Sequence, residues 1–312
     1  MNLKQNFQNQ IAESLFPGNL SEEKACFLRR FAPENHPDNR VSTHKEIAKL
    51  MKSDLTVYCE DKINQTIRKV IEVVHKAYEE DMKADGVNTE GLLNLKAGGT
   101  LKGKEDEESD KKFSPWKEAY KWLWNHKYLR WVDINGWEIL KKQAKTALDW
   151  IQFLTEQEMA SVGVDTRALK PLSPRSSAQK IDPIIPINQP LSMIVDLAYP
   201  NYQMLLLYRS AETKYVLCPS LGYAPNGVNK PPMTLPQEGS VAHDNKETFT
   251  FEELGKEEFL AIAVENPLNL DWLAPCKDED LPVWNAERLK ELFEQLEQQD
   301  TWQIFYQSFE VV

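Results

Sequence analysis

The chain has 312 residues, of which 41% are hydrophobic and 10% aromatic, and this composition excludes an intrinsically disordered protein. Its formal net charge of −11 lies in the last part of the sequence, since residues 171–312 hold 10 Lys and Arg against 21 Asp and Glu. An acidic surface repels phosphate. Any contact with nucleic acid is therefore expected from the earlier residues.

The sequence predicts neither a membrane span nor secretion. It contains no run of eighteen apolar residues, and its start, Met1-Asn-Leu-Lys-Gln-Asn6, lacks the apolar segment of a signal peptide. The four cysteines are widely scattered without a CxxC pair, which is typical of free thiols in a reducing compartment. We therefore expect a cytoplasmic protein that does not contact membranes.

Residues 1–85 show helical patterns. Ser21 is followed by two glutamates and begins a first helix, because acidic side chains are favourable in a first turn. Thr43 and Glu46 form a T-x-x-E capping box for a second helix. A third, longer helix is predicted for residues 60–81, where aliphatic residues recur on one stripe.

These three helices resemble a helix-turn-helix, in which residues 43–51 form the first helix and residues 60–81 enter the major groove of DNA. The polar side chains opposite the apolar stripe are then candidate DNA-binding or partner-binding residues. They are Lys62, Asn64, Gln65, Arg68 and Lys69. Against DNA, the link across residues 53–59 is long for such a turn, and Glu60 and Asp61 stand where the helix would meet DNA. A helical bundle with a solvated polar face and a protein adaptor are the alternatives.

Residues 96–112 are rich in Gly, Lys, Glu, Asp and Ser, which predicts a flexible acidic loop. Within it, residues 98–104 match the front of the phosphate-loop pattern GxxxxGK. Glu105 takes the place of the Ser or Thr that would hold magnesium, and further carboxylates follow it. Because carboxylates repel a triphosphate, nucleotide binding is not predicted.

Six of the nine tryptophans lie between Trp116 and Trp150. Ser114 is the predicted N-cap of a helix that begins with proline. Asn135-Gly136 predicts a tight turn and hence a small hairpin, and the apolar spacing of residues 140–154 predicts a helix. Aromatic side chains beside basic ones can stack single-stranded bases, but at helical spacing they are typical of a core, which is our interpretation.

Residues 171–190 contain five prolines among Ser, Gln and Arg, which predicts a stiff linker. The linker divides a helical domain, residues 1–170, from a β domain, residues 191–312. Two apolar runs of the β domain, residues 202–209 and 215–219, are joined by a short polar segment. They predict an antiparallel hairpin that is buried on both faces.

Further strands are predicted at residues 248–251 and 259–264. Asn285 is the predicted cap of a helix, and residues 302–312 predict a closing strand. The fold class is therefore α+β: an all-helical, helix-turn-helix-like domain followed by a mainly antiparallel β-sandwich or barrel with a C-terminal helix.

Four segments of the β domain carry a family resemblance. They are Tyr202–Leu207, Val216–Ser220, Leu235–Gly239 and Phe259–Leu268. Together they resemble an uncharacterised bacterial β domain that usually lies C-terminal to caspase-like peptidases, protein kinases or repeat arrays. The resemblance implies a β fold and a signalling setting, and it carries no catalytic residue over to this chain. Here a helical half takes the place of the usual catalytic neighbour.

No catalytic, cofactor-binding or metal-binding residue is predicted. The five histidines never pair with each other or with a cysteine at metal-ligand spacing, and the patterns GxSxG, HExxH and GxGxxG are absent from the sequence. Cys218 ends an apolar run and Cys276 precedes mainly acidic residues, so neither setting favours a thiolate.

The predicted function is a non-enzymatic regulatory or signalling adaptor. It would bind protein partners through both domains, in stress or defence signalling linked to caspase-like peptidases or kinases. The alternative is a helix-turn-helix transcription regulator that binds DNA through its N-terminal domain and uses the acidic domain as a sensor. An enzyme whose site is assembled from distant residues is a third hypothesis, and a small-molecule ligand of the β domain is left open.

Overall fold

The computed structural model describes residues 3–34, 36, 43–55, 58–93, 114–145, 149–162, 182–197, 203–226, 231–273 and 280–312. Helices come first and mainly antiparallel sheets follow, so the predicted α+β class is confirmed. The chain divides into two units, Met1–Val132 and Asp133–Val312. The predicted loop at residues 96–112 and the predicted linker up to residue 181 lie outside the described residues.

The first unit begins with helices, and capping side chains set the starts of two of them. The helices are α1 (Leu3–Leu15), α2 (Glu22–Arg30), α3 (His44–Asp54) and α4 (Ile63–Ala84). At the start of α2, the Ser21 side chain accepts a hydrogen bond from the backbone N–H of Lys24. At the start of α3, Thr43 and Glu46 form both hydrogen bonds of the capping box. Both caps satisfy N–H groups that a first turn leaves unpaired, and both predicted starts are confirmed.

The tryptophan-rich stretch continues the first unit. After α5 (Thr89–Leu93), the segments of this stretch are α6 (Pro115–Trp122), the π-helical turn Leu123–Lys127 and the first part of α7 (Tyr128–Gln143). The ring centroid of Phe7 in α1 lies 5.4 Å from that of Trp124 and 5.2 Å from that of Tyr128. Trp122 and Trp124 are buried. These aromatic side chains therefore build core, as their helical spacing predicts.

The hairpin predicted at Asn135-Gly136 is wrong, because both residues lie inside α7. Val132, Trp137 and Leu140 are buried at helical spacing around them. This burial outweighs the local preference of Asn-Gly for a turn, since propensity is a weak determinant where tertiary contacts decide.

The helix predicted for residues 140–154 is wrong in its second half. Helix α7 ends at Gln143, and Ile151–Leu154 forms strand β1. The register pairs Ile151 with Val195 of β3 (Ser192–Val195), so a strand that precedes the predicted linker belongs to a sheet. The spacing of a short apolar run does not separate helix from strand, and the partner strand decides here.

Among the described residues, the strands of the second unit form two sheets. The smaller sheet has the order β1-β3-β6, with β6 at Met233–Leu235, and the five-stranded sheet has the order β2-β8-β7-β4-β5. The strands of the larger sheet are β2 (Ile184–Ile185), β4 (Gln203–Arg209), β5 (Lys214–Cys218), β7 (Gly255–Val264) and β8 (Trp302–Val311). Only β2 and β8 are paired in parallel among these described strands. Because the larger sheet ends at β2 and β5, the predicted barrel is wrong.

The predicted hairpin is confirmed as β4 and β5, which pair antiparallel. Leu205, Leu206 and Leu207 are successive residues of β4, and all are buried. Since successive side chains of a strand point to opposite faces, the sheet is buried on both faces here. One of these faces belongs to a core that also contains Met193 and Leu235 from the smaller sheet.

Gln307 of β8 connects the two sheets. Its side-chain oxygen accepts a hydrogen bond from the backbone N–H of Ile151 at 3.0 Å, and its amide nitrogen donates to the carbonyl of Ile151 at 3.1 Å. Gln307 is 9% exposed. The pair satisfies two buried backbone groups of β1 that would otherwise cost free energy of folding.

The remaining helices of the second unit are α8 (Glu156–Val162), α9 (Val241–Asp244) and α10 (Ala286–Leu296). Asn285 caps α10 by accepting a hydrogen bond from the backbone N–H of Arg288, as predicted. Strand β8 follows α10, which confirms the closing strand. The strand predicted for residues 248–251 is reduced to one isolated bridge between Phe249 and Leu191.

A half-buried ion cluster joins the second part of α7 to the five-stranded sheet. Lys141 of α7 places its Nζ 2.9 Å from a carboxylate oxygen of Glu258, and the Tyr306 hydroxyl donates to the same oxygen at 2.6 Å. The Nε of Arg209 lies 3.4 Å from the other oxygen. Burial by itself raises the pKa of Glu258, but these hydrogen bonds and charges outweigh it and lower the pKa.

Glu257, the preceding residue, points to the other face of β7 and is 6% exposed. The Tyr208 hydroxyl donates to its carboxylate at 2.6 Å. Burial raises the pKa of Glu257, and the nearby charge of Glu253 adds to this, although the hydrogen bond from Tyr208 opposes it.

Candidate functional site

Helix α4 has one buried and one exposed face. Ile67, Val70 and Val74 are among the residues of its buried stripe. The residues that the sequence predicts for DNA or partner binding all lie on or next to the opposite face and are exposed. They are Lys62, Asn64, Gln65, Arg68 and Lys69. Their common exposure follows from helical spacing. We call these residues, together with the cleft that Phe16, Glu23, Lys69, Glu72, Val73 and Lys76 line beside them, the α4 surface.

Two cations of the α4 surface, Arg68 and Lys69, are paired with carboxylates. The Nε of Arg68 lies 2.9 Å from a carboxylate oxygen of Glu72, one helical turn further along. The Nζ of Lys69 lies 3.3 Å from a carboxylate oxygen of Glu23 in α2. These pairs are exposed and contribute little to stability. They nevertheless offset the positive charge of this face.

Asn64 is joined to α3 through its side chain. Its amide oxygen lies 2.8 Å from the Nδ1 atom of His44, the first residue of α3. Partial burial lowers the pKa of His44, the hydrogen bond with Asn64 opposes this shift, and the charge of Arg30 adds to it. Asn64 therefore contributes to the packing of α3 on α4 as well as to the exposed face.

The start of α4 is acidic. Glu60 and Asp61 occupy a 3-10 turn just before it, and the Nζ of Lys52 lies 3.4 Å from Glu60. Since α3 ends at Asp54 and α4 begins at Ile63, the connection is longer than the three or four residues of a helix-turn-helix turn. A phosphate group at this end would meet two carboxylates.

A shallow cleft of about 380 Å³ borders the same face. Phe16, at the end of α1, and Val73 of α4 supply its apolar lining, and charged residues of both signs surround them. The charged residues are Glu23, Lys69, Glu72 and Lys76. Of this set, the sequence pointed only to Lys69, because the cleft depends on α1 and α2 packing beside α4.

The described residues show neither a metal site nor a buried cysteine that would be reactive. They contain no group of His, Cys, Asp and Glu side chains that could hold a metal ion. Burial raises the pKa of Cys218 far above its ordinary value and that of Cys26 to about 12, so neither forms a thiolate at neutral pH. Cys276 and the phosphate-loop pattern at residues 98–104 lie outside the described residues.

No described helix has both the length and the apolar character that crossing a membrane requires. No family model, curated protein or solved structure matches the chain. The resemblances to the bacterial β domain and to a helix-turn-helix therefore stay predictions. On the described residues, the class of protein is a two-unit α+β protein with a mixed-charge surface on its longest described helix.

Proposed function

We propose that this chain is a non-enzymatic regulatory or signalling adaptor that binds one protein partner through the α4 surface and another through its second unit. One observation carries the proposal: Arg68 and Lys69, two of the four cations of the α4 surface, are paired with carboxylates beside an apolar cleft. Such a surface supports a protein partner, because protein surfaces carry charges of both signs and apolar side chains that can complement it. Duplex DNA would favour unpaired cations.

The setting of this adaptor follows from the family resemblance. A chain with this β domain would act in the cytoplasm in stress or defence signalling, next to a caspase-like peptidase or a kinase. The core shared by the two sheets supports a β-sandwich for this domain.

The test is affinity capture of partners from native lysate by the full-length chain, with nuclease-treated and untreated samples side by side. We expect a protein partner that survives nuclease, and roughly tenfold less of it with the double variant Arg68→Ala and Lys69→Ala. Lys83→Ala is the matched control, because Lys83 is also an exposed cation of α4 that pairs with a glutamate, Glu79. Undiminished capture by the double variant would reject the α4 surface as the binding site.

The second candidate function is a DNA-binding regulator. It is favoured by the capped helix α3 that precedes α4 and by the exposed Asn64, Gln65 and Arg68, whose side chains can bind base edges. We would measure binding of duplex DNA by fluorescence anisotropy at about 50 and 200 mM salt. Salt-sensitive binding that disappears with Arg68→Ala and Lys69→Ala would replace the adaptor proposal, and affinity that the variant leaves unchanged would reject DNA recognition by α4.

A further inference from the structure

Strands β2, β8 and β7 are neighbours in the five-stranded sheet. Where Ile184, Glu310 and Lys256 are paired, the sheet has one buried and one exposed face. Ile185 and Val311 are paired, point to the core and are each 2% exposed. The register also pairs Ile184 with Glu310, and Glu310 with Lys256. Side chains of paired residues lie on the same face, so these three form one row across three strands, opposite to the core.

A second, apolar row lies beside the first. The backbone N–H of Val312 donates to the carbonyl of Ile185 at 3.0 Å, and the N–H of Ile187 donates to the carbonyl of Val312 at 2.9 Å. This ladder places Pro186 beside Val312. Leu254 directly precedes β7 and lies at the same end of the sheet. Val312 is 54% exposed and Leu254 71%, and Pro186 is exposed as well.

The same face is covered further along the strands. Glu258, two residues after Lys256, is buried and contacts Lys141 of α7, whereas Ile184 is 62% exposed. A single exposed aliphatic side chain is ordinary, but a group on adjacent strands is typical of an interaction surface. We call this group the open sheet end. Its residues are Ile184, Pro186, Leu254, Lys256, Glu310 and Val312.

The charge around the open sheet end is acidic. Lys256 is already paired, since its Nζ lies 2.9 Å from a carboxylate oxygen of Asp182. Glu252, Glu253 and Glu310 are exposed and form no ion pair with any residue in the described part of the chain. An apolar centre with unpaired carboxylates at its rim complements a segment that is apolar on one side and basic on the other.

We propose that the open sheet end binds the apolar face of a basic amphipathic helix from a partner protein. This inference rests on the proposed adaptor function and names the partner class for the second unit. Three strands about 4.8 Å apart are about 10 Å wide, which is the diameter of a helix. Apolar residues one turn apart on that helix would cover Ile184, Leu254 and Val312, and its lysines would face Glu310.

The test uses the full-length chain and a labelled peptide of about 15 residues, with leucine at helical spacing and lysine elsewhere. Binding is followed by fluorescence anisotropy, and a peptide of the same composition in scrambled order is the control. We expect saturable binding of the amphipathic peptide alone. The double variant Ile184→Ser and Val312→Ser should weaken it roughly tenfold or more, because two apolar contacts are lost.

Two single variants complete the set. Glu310→Gln should weaken binding a few-fold and make it less sensitive to salt, because an unpaired carboxylate is removed from the rim. Val241→Ser is the matched control, since it truncates another exposed aliphatic residue of the same unit and should leave the affinity unchanged.

Equal binding of both peptides, equal binding by the double variant, or no saturation up to about 100 μM would overturn the inference. Self-association of the free chain that the double variant abolishes would identify a second copy as the occupant and would overturn it too. The nuclease-resistant partner whose capture Arg68→Ala and Lys69→Ala diminish is bound by the α4 surface. Successful capture of that partner beside a failed peptide titration would reject this inference alone, and failure of both would reject the adaptor proposal as well.

Discussion

Glu257 and Glu258 are adjacent in β7, but their surroundings shift their pKa values in opposite directions. Burial with only a hydroxyl donor raises the pKa of Glu257, whereas Tyr306, Lys141 and Arg209 more than offset burial at Glu258. The reason is the pleat of the strand, which sends one side chain into the apolar core and the next into an ion cluster.

We expect Glu257→Gln to stabilise the chain at pH 8 and to have little effect near pH 4. A raised pKa in the folded state gives stability that is complete below the unfolded value of about 4.3 and is lost as the pH rises through the folded pKa. Removing the buried charge should recover about 1 kcal/mol at pH 8. Urea unfolding at both pH values measures the difference.

Glu258→Gln is the control for this prediction, because the pKa of Glu258 is shifted in the opposite direction. Its lowered pKa gives stability that is present above the unfolded value and is lost as the pH falls through the folded pKa. The variant should therefore be less stable than the wild type at pH 8, by about 2 kcal/mol, with a smaller deficit in acid. The same pH dependence in both variants would contradict the assignment of the two faces.

At the scale of elements, the N-caps of the helices differ in what they contribute. Thr43 forms the full capping box of α3, whereas Ser114 at the start of α6 makes no side-chain capping hydrogen bond. Thr43→Ala should lower the unfolding free energy by about 1 kcal/mol, and Ser114→Ala by much less. Denaturant unfolding of the two variants tests this, and equal losses would show that the capping box contributes nothing specific.

Starts of helices were predictable because the signal is local. Ser21, Thr43 and Asn285 each accept a hydrogen bond from an N–H three residues further along, so the sequence contains both partners. The Asn135-Gly136 pair predicts a turn but lies in α7, because the packing of α7 depends on residues that are distant in the sequence. For instance, the ring of Trp137 stacks on that of Trp284 at 5.1 Å.

The α4 surface was predictable in part for the same reason. The spacing of α4 alone places Arg68 and Lys69 on an exposed face. The cleft beside them requires Phe16 and Glu23, which come from the ends of other helices. Helix α1 itself was not predicted, although Phe7 and Ile11 bury one of its sides. This part of the site is formed by contacts between helices, and such contacts cannot be read from a single sequence.

At the scale of the whole molecule, the contact between Gln307 and Ile151 is a sensitive point. Gln307→Met removes both hydrogen bonds and leaves two buried backbone groups of β1 unpaired, so we expect a loss of about 3 kcal/mol. Gln303 lies on the same strand, and its side-chain oxygen accepts no hydrogen bond from the described residues. Gln303→Met leaves no backbone group unpaired and should therefore not lower the unfolding free energy. Calorimetry or denaturant unfolding of both variants measures the two free energies. Similar losses would contradict the role of the hydrogen bonds between Gln307 and Ile151.

The position of β8 has a consequence for the order of folding. Gln307 and Ile151 are 156 positions apart, and β8 pairs with β7 on one side and β2 on the other. During synthesis, β7 therefore leaves the ribosome before its neighbour exists and carries an unpaired apolar edge until residues 302–311 emerge. Contacts over such separations slow folding to the millisecond-to-second range. Until β8 has paired with it, this edge of β7 is open to pairing with other chains, which is a route to aggregation.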